Sequence, residues 1–222
     1  MRYSLRTLAL LAGLAAASPC AAQDAVKTNP NVYHVVLEND SVRVLHVSVP
    51  AGAKTTLHEH PDNVIVSLTD AKTRFTSADG KSTDGDLKAD QAMWSPAEKH
   101  SGENIGGAAV EVILVELKGK KAPSAKIPTS REHMKIATFF DNPRATAYRA
   151  TTEADFHEPA GTTHDYDQVV IALGPGSVAV NVEGKTKSEW KRGDVLFIGR
   201  GMKHETKNTS GKPFDVILVG IK

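Results

Sequence analysis

Cysteine is nearly absent from this 222-residue chain: Cys20 is its single thiol, and it falls in a segment that reads as a removable leader. Met1-Arg2, a further basic residue at Arg6 and an apolar run from Leu8 to Ala17 make a stretch too short to span a bilayer as a helix. Ser18-Pro19-Cys20-Ala21-Ala22 supplies the small residues of a cleavage site after Ala22, so residues 1–22 are expected to be a signal peptide and the exported chain to begin at Gln23. A lipid-bearing Cys20 is disfavoured, because Pro19 and Ala17 stand where a small and a leucine-like residue are usual. Without Cys20 the protein forms no disulfide, and a metal it holds is bound through nitrogen and oxygen. Iron–sulfur and thiolate-zinc chemistry are excluded.

An excess of charge of either sign is also lacking. Lys and Arg number 27 against 26 Asp and Glu, and removing Arg2 and Arg6 with the leader leaves 25 against 26. Such a balance offers no basic stripe for nucleic acid, and no other run is apolar and long enough to cross a membrane as a helix. A small-molecule ligand is the expected partner, and the periplasm or the exterior the expected location.

Long helical periodicity is missing too. Short β-branched or alternating runs bounded by Gly, Pro, Asp and Asn take its place: Val42 to Val49, Val64 to Leu68, Val110 to Leu117, Val169 to Leu173, Ser177 to Val182 and Val216 to Val219. The chain reads as all-β. Asp79-Gly80 and Glu183-Gly184 sit where tight hairpins need residues that accept positive φ.

What the chain does have is a repeat built on histidine. His60 and His100 recur 104 residues later as His164 and His204, and each second histidine is followed four residues on by an asparagine, Asn104 and Asn208. The same offset carries Gly80-Lys81 to Gly184-Lys185, Asp90 to Asp194, and Val112-Ile113-Leu114-Val115 to Val216-Ile217-Leu218-Val219. Two like barrels are expected, one over 32–118 and one over 134–222. The Pro-, Ser- and Lys-rich stretch within 119–133 is the natural linker between them. Glu132 to Phe140 reads either as a short helix or as a strand leading into the second copy.

If His58-Glu59-His60 is extended, alternation puts both imidazoles on one face and Glu59 on the other. His100, at the end of Trp94-Ser95-Pro96-Ala97-Glu98-Lys99-His100, supplies the third. Three neutral imidazoles converging inside a barrel bind a divalent metal and leave positions open. Asn104 and Asn208 read as turn residues, Met93 and Trp94 as core with one of them facing the barrel interior, and His34, His46, His133 and His157 as ordinary polar residues.

These residues resemble the cupin superfamily, whose first motif is Gly, five residues, His-x-His, three or four residues, Glu, and whose second is Pro-x-Gly-x-x-His-x-x-x-Asn. Gly52, His58 and His60 match the first; His100 and Asn104 match the second, with Ser95 and Ala97 in place of its Pro and Gly. The glutamate is missing, and Asn63 stands in its place with Asp62 just before it. In the second copy His164 is the second histidine, Thr162 stands for the first, Gln168 takes the glutamate place, and Gly199, Gly201, His204 and Asn208 fit the second motif.

The resemblance implies two tandem jelly-roll β-barrels, with His58, His60 and His100 as metal ligands and Asn63 as a candidate fourth. It implies a weaker set in the second barrel, His164, Gln168 and His204, with Asp165, Tyr166 and Asp167 as nearby alternatives. Quercetin dioxygenases and oxalate decarboxylases are among the families with this architecture. The reading that follows is a metal-dependent dioxygenase, lyase or isomerase acting on a small anionic or chelating molecule, with Glu98 or Glu59 as its acid–base group. A non-catalytic periplasmic protein that holds a small ligand or a metal is the alternative, because no carboxylate is expected inside the first barrel. Arg2 and Arg6 are not adjacent, so the metal is expected to be acquired after export, where nitrogen ligands favour copper, zinc or nickel over iron or manganese.

Overall fold

The computed structural model describes residues 23–119, 127–128 and 130–222. The expected leader, residues 1–22, and residues 120–126 and 129 of the expected linker lie outside them.

The first copy contributes α1 (Ala25–Thr28) and nine strands: β1 (Tyr33–Glu38), β2 (Val42–Val49), β3 (His58–His60), β4 (Asn63–Ser67), β5 (Ala71–Ser77), β6 (Ser82–Leu87), β7 (Gln91–Ser95), β8 (Glu98–Asn104) and β9 (Val110–Leu117). The second repeats them as β10 (Met134–Asp141), β11 (Ala145–Thr152), β12 (His157–Thr162), β13 (Asp167–Ala172), β14 (Gly176–Val182), β15 (Lys185–Trp190), β16 (Val195–Ile198), β17 (His204–Asn208) and β18 (Phe214–Ile221). Each copy folds an antiparallel five-stranded sheet against a four-stranded one: β1-β2-β9-β4-β7 with β3-β8-β5-β6, and β10-β11-β18-β13-β16 with β12-β17-β14-β15. The fold is all-β, a tandem of two jelly-roll barrels. No helix among the described residues is long and apolar enough to cross a membrane.

Residues 134–141 are a strand rather than a helix. It pairs with β11 from Met134↔Thr152 to Asp141↔Thr146, with one register shift between Thr138 and Phe140. Among the described residues the one short helix lies where none was expected, ahead of residue 32. Asp24 caps it by accepting from the Lys27 amide at 3.1 Å, and the same residue forms a backbone bridge to Glu59 of β3. At the second hairpin Val182 pairs with Lys185, and Glu183 and Gly184 both take positive φ, as a two-residue turn of matching twist requires.

Apolar side chains gather in three clusters. One fills the first barrel (Leu45, Val47, Val112, Leu114), one fills the second (Val170, Val178, Trp190, Leu218), and the third lies between the barrels. In that seam Val44, Val64, Ile113 and Val115 of one five-stranded sheet meet Ala147, Val169, Ile217 and Val219 of the other, all fully buried. This double burial explains why residues 112–115 of β9 and residues 216–219 of β18 read as unbroken apolar runs. Val112 and Leu114 face the barrel interior, while Ile113 and Val115 face the neighbouring barrel, so both sides of the strand are apolar. Arg192 ties the seam at its edge, with Nη2 donating to the Leu68 carbonyl at 2.6 Å.

Asn104 and Asn208 are braces, one per copy. Asn104 Nδ2 donates to the carbonyls of Val49 and Ala108, and Asn208 Nδ2 donates to those of Glu153 and Lys212, the residues 104 positions on. Each side-chain oxygen then accepts from a backbone amide two residues later, Gly106 or Ser210. These asparagines hold the loop into the last strand of each barrel and touch no histidine.

Candidate metal centre

β3 and β8 pair with His58 directly opposite His100, and His60 two residues along projects from the same face. Alternation turns Glu59 outward, where it meets Lys99 at 3.3 Å. The three rings cluster, with centroids 4.8 Å apart for His58–His60 and His58–His100 and 5.5 Å for His60–His100. All three are buried, and one nitrogen from each lies within 4.8 Å of the others.

Neighbouring groups fix how each ring is turned. His58 Nδ1 donates to the Thr56 carbonyl at 2.7 Å, which leaves its Nε2 lone pair to the Tyr33 hydroxyl at 2.9 Å. His60 Nδ1 donates to Glu116 Oε1 at 2.6 Å, which leaves its Nε2 free. His100 Nδ1 has no hydrogen-bond partner; Glu98 Oε1 lies 3.2 Å away but out of line. Burial keeps His58 below the usual histidine range, and the neighbouring His60 adds to this. Burial and the adjacent His58 push His100 down to about 4. Neutral rings at neutral pH are what metal ligation needs.

Glu116 is the residue that sequence reasoning missed, and it overturns the expectation of a first barrel without a carboxylate. It is 1% exposed and its second oxygen accepts from Arg43 Nε at 2.5 Å, while Arg43 Nη1 donates to Asp24 Oδ2 at 2.6 Å. Burial alone would raise its carboxyl, but the hydrogen bonds from His60 and Arg43 outweigh that and hold it below the usual range. Asn63, in the motif's glutamate place, pairs across strands with Glu116. The acid has shifted one strand over. A signal for it existed, since Glu116 continues the inward-facing series Val112, Leu114 at period two.

Asn63 Nδ2 donates to the Pro61 carbonyl, and its Oδ1 is buried with no partner. Two orphaned acceptors, on His100 and Asn63, in a nitrogen-rich donor set fit a divalent transition ion. Beyond the histidines opens a cavity of about 260 Å³, walled by Val47, Ile65, Phe75, Leu87, Val110 and Leu114 and carrying His60, His100, Asn63 and, at its rim, Glu98. Met93 and Trp94 both line it, and Trp94 also packs against the seam, its ring centroid 6.2 Å from that of Phe140.

In the second barrel Thr162 pairs with His204, as His58 pairs with His100 in the first. His164 and His204 come together, centroids 4.6 Å apart, but their third companion is Glu158. The β12 strand slips register between Glu158 and Thr162, and that irregularity brings Glu158 inward. Motif spacing carries no trace of a bulge, so the residue escaped notice. Gln168 is buried with Oε1 partnerless, in the wall of a residual void of about 40 Å³. Asp165 and Asp167 are not in this group, and the Tyr166 ring stacks on His164 at 5.0 Å.

Arg131, from the end of the expected linker, enters this cluster. Its Nη1 donates to Glu158 Oε1, and its Nη2 donates to the Tyr166 hydroxyl at 3.0 Å and lies 3.5 Å from His164 Nε2. Burial and the guanidinium push His164 down to about 4. Burial would lower His204 as well, but Glu158 and the Met202 carbonyl outweigh it and raise it. A further group, His133 with Glu153 and Asp155, is an exposed set of ion pairs and fits the ordinary polar role expected of His133.

The sequence matches no protein-family model and no curated protein. The structure is similar to that of AerE from Microcystis aeruginosa, with a TM-score of 0.64 and 14% identity over 86% of this chain and 97% of that one. It is also similar to a cupin 2 conserved barrel domain protein from Leptotrichia buccalis, with a TM-score of 0.58 and 12% identity over 86% and 88% of the two chains. Salicylate 1,2-dioxygenase from Pseudaminobacter salicylatoxidans gives a TM-score of 0.61 at 7% identity, over 82% of this chain and 71% of that one. With two jelly-roll barrels, an internal offset of 104 residues and these neighbours, the chain has the cupin fold in its tandem form.

Proposed function

We propose that this chain is an exported metal-dependent enzyme whose centre is His58, His60 and His100 in the first barrel, with Asn63 as a fourth donor. We further propose that it acts as an oxygenase on a small molecule with chelating oxygens and an apolar body, such as a phenol or an enediol. The observation that carries the reading is the meeting of three buried imidazoles beside a largely apolar cavity of about 260 Å³. Among the described residues no lysine or arginine lines that cavity, so an anionic oxygen there would find its counter-charge in a bound cation. A divalent ion held by this set would supply Lewis acidity and an anchor for paired oxygens.

The chain's own residues do the rest. Glu116 and the Thr56 carbonyl hold the tautomers of His60 and His58, the apolar wall excludes water, and Glu98 stands at the rim within reach of a proton. The salicylate dioxygenase neighbour supports an oxygenase at the level of fold. Copper, zinc or nickel is the metal that the donor set and an extracytoplasmic location favour over iron or manganese.

Metal analysis of the purified protein beside His100→Ala, followed by oxygen uptake with a panel of catechols and enediols, tests the proposal. One equivalent lost in the variant and oxygen uptake with a panel member are expected. Ligand binding without turnover would make the protein a binder instead, and absence of metal from the reconstituted wild type would remove the centre. Export is tested separately, by an amino terminus at Gln23 in protein recovered from the periplasm.

A further inference from the structure

We infer that the Arg131 guanidinium is the resident cation of the second barrel, keeping metal out of it, and that removing this side chain uncovers a metal site made of Glu158, His164 and His204. The two barrels present the same raw material: three ligand atoms within 4.8 Å in each. They differ in where the cation sits. In the first, Arg43 bonds the Glu116 oxygen that His60 does not use, and the side chains that hydrogen-bond His58 are the neutral Tyr33 and Asn29. In the second, the guanidinium itself touches the ligand cluster, bound to Glu158 and 3.5 Å from the His164 nitrogen.

Three features show that this is a built arrangement. The Arg131 side chain is only 13% exposed although it comes from a polar connector. Its planar fork is matched by two acceptors, the Glu158 carboxylate and the Tyr166 hydroxyl, with the Tyr166 ring stacked parallel to His164. The residue 104 positions earlier, Lys27, points to solvent, so the inward arginine is particular to the second copy. A guanidinium cannot lose its charge, so a dication entering here meets a fixed positive group and a carboxylate oxygen already in use. The buried carboxylate is thereby neutralised without metal, and the chain at Arg131 is pinned to the second barrel.

The inference concerns the second barrel and does not depend on the first binding metal. The experiment titrates zinc into wild type, His100→Ala, Arg131→Met and Arg131→Met/Glu158→Gln, counting equivalents retained after gel filtration. Methionine keeps the apolar stem and removes the charge. Arg131→Met is expected to retain one equivalent more than wild type, and the double variant to lose it again. Arg131→Met that is folded by circular dichroism yet gains nothing would overturn the inference. Zinc retained by His100→Ala and then lost on adding His204→Ala would also overturn it, and needs no arginine variant. A wild type that binds no zinc while Arg131→Met binds one equivalent would remove the first-barrel centre and leave this inference standing.

Discussion

Glu116 Oε1 lies 2.6 Å from His60 Nδ1, and this one contact decides which nitrogen of His60 is left for a cation. The carboxylate is itself held by Arg43, and Arg43 by Asp24 beside α1, so the ring is oriented through a hydrogen bond backed by two linked ion pairs. Outer carboxylates of this kind raise the basicity of the imidazole and lock its tautomer.

Glu116→Gln is therefore expected to weaken metal binding about 10–100-fold, the usual scale for losing such a partner. It also leaves Arg43 with Asp24 alone, so the melting temperature of the metal-free protein should drop. Chelator competition measures the first effect and calorimetry the second. An unchanged dissociation constant would show that the contact orients nothing that matters to the metal.

Much of this was legible in the sequence, for reasons that can be named. The offset of 104 survives because strands and their turns must keep register, and His58, His60 and His100 are visible because alternation within β3 and a hairpin-like pairing with β8 fix their face. Glu116 was hidden inside an apolar run that two different cores bury. Glu158 and Arg131 were hidden because a strand irregularity and a connector obey no motif spacing. The clearest departures thus lie where tertiary contacts, rather than local pattern, place the charge.

The Tyr33 hydroxyl donates to the lone pair of His58 that a metal would need. Burial, reinforced by the negative charge of Glu116, raises the Tyr33 phenol well above its usual range, so it acts as a donor and not as an anionic ligand. Metal entry must break this hydrogen bond, which is worth about 1 kcal/mol. Tyr33→Phe is expected to bind metal about five-fold tighter, from the same ~1 kcal/mol. Weaker binding in the titration would show instead that the tyrosine oxygen belongs to the coordination set.

Acid should unfold the metal-free protein earlier than its balanced charge suggests. His100 and His164 each sit at about 4 when folded, against 6.5 as the ordinary value, so the unfolded chain takes up these protons first. Their contribution to stability is complete above about 6.5 and is lost as the pH falls toward 4. Glu116 and Glu158, both held low, lose theirs further down. His204, raised when folded, adds stability as the pH falls, so the melting temperature followed from pH 8 to 4 should rise slightly toward about 6.5 and then fall, with a shallower fall in His100→Gln. A profile that stays flat to pH 4.5 would mean that the buried rings are not held neutral by the fold.

The difference between a cavity of about 260 Å³ and a void of about 40 Å³ traces to a few side chains at equivalent places. Val110 lines the first barrel, and 104 residues on Phe214 fills the second, its ring 5.9 Å from that of Trp190. Gly176 makes the room, since a Cβ there would come within 2.4 Å of the Phe214 ring. In the first barrel the open cavity itself offers that room, so Val110→Phe is expected to fold with a change in stability of no more than about 1–3 kcal/mol, the range for overpacking. The metal equivalent should be retained, because Val110 contacts none of the three imidazoles through a hydrogen bond. Binding of any small molecule that uses the cavity should fall at least ten-fold, as measured by calorimetry on the metal-loaded protein. Retained affinity in a folded Val110→Phe would place the ligand outside the barrel, at the rim near Glu98, and would take the substrate pocket away from the apolar wall.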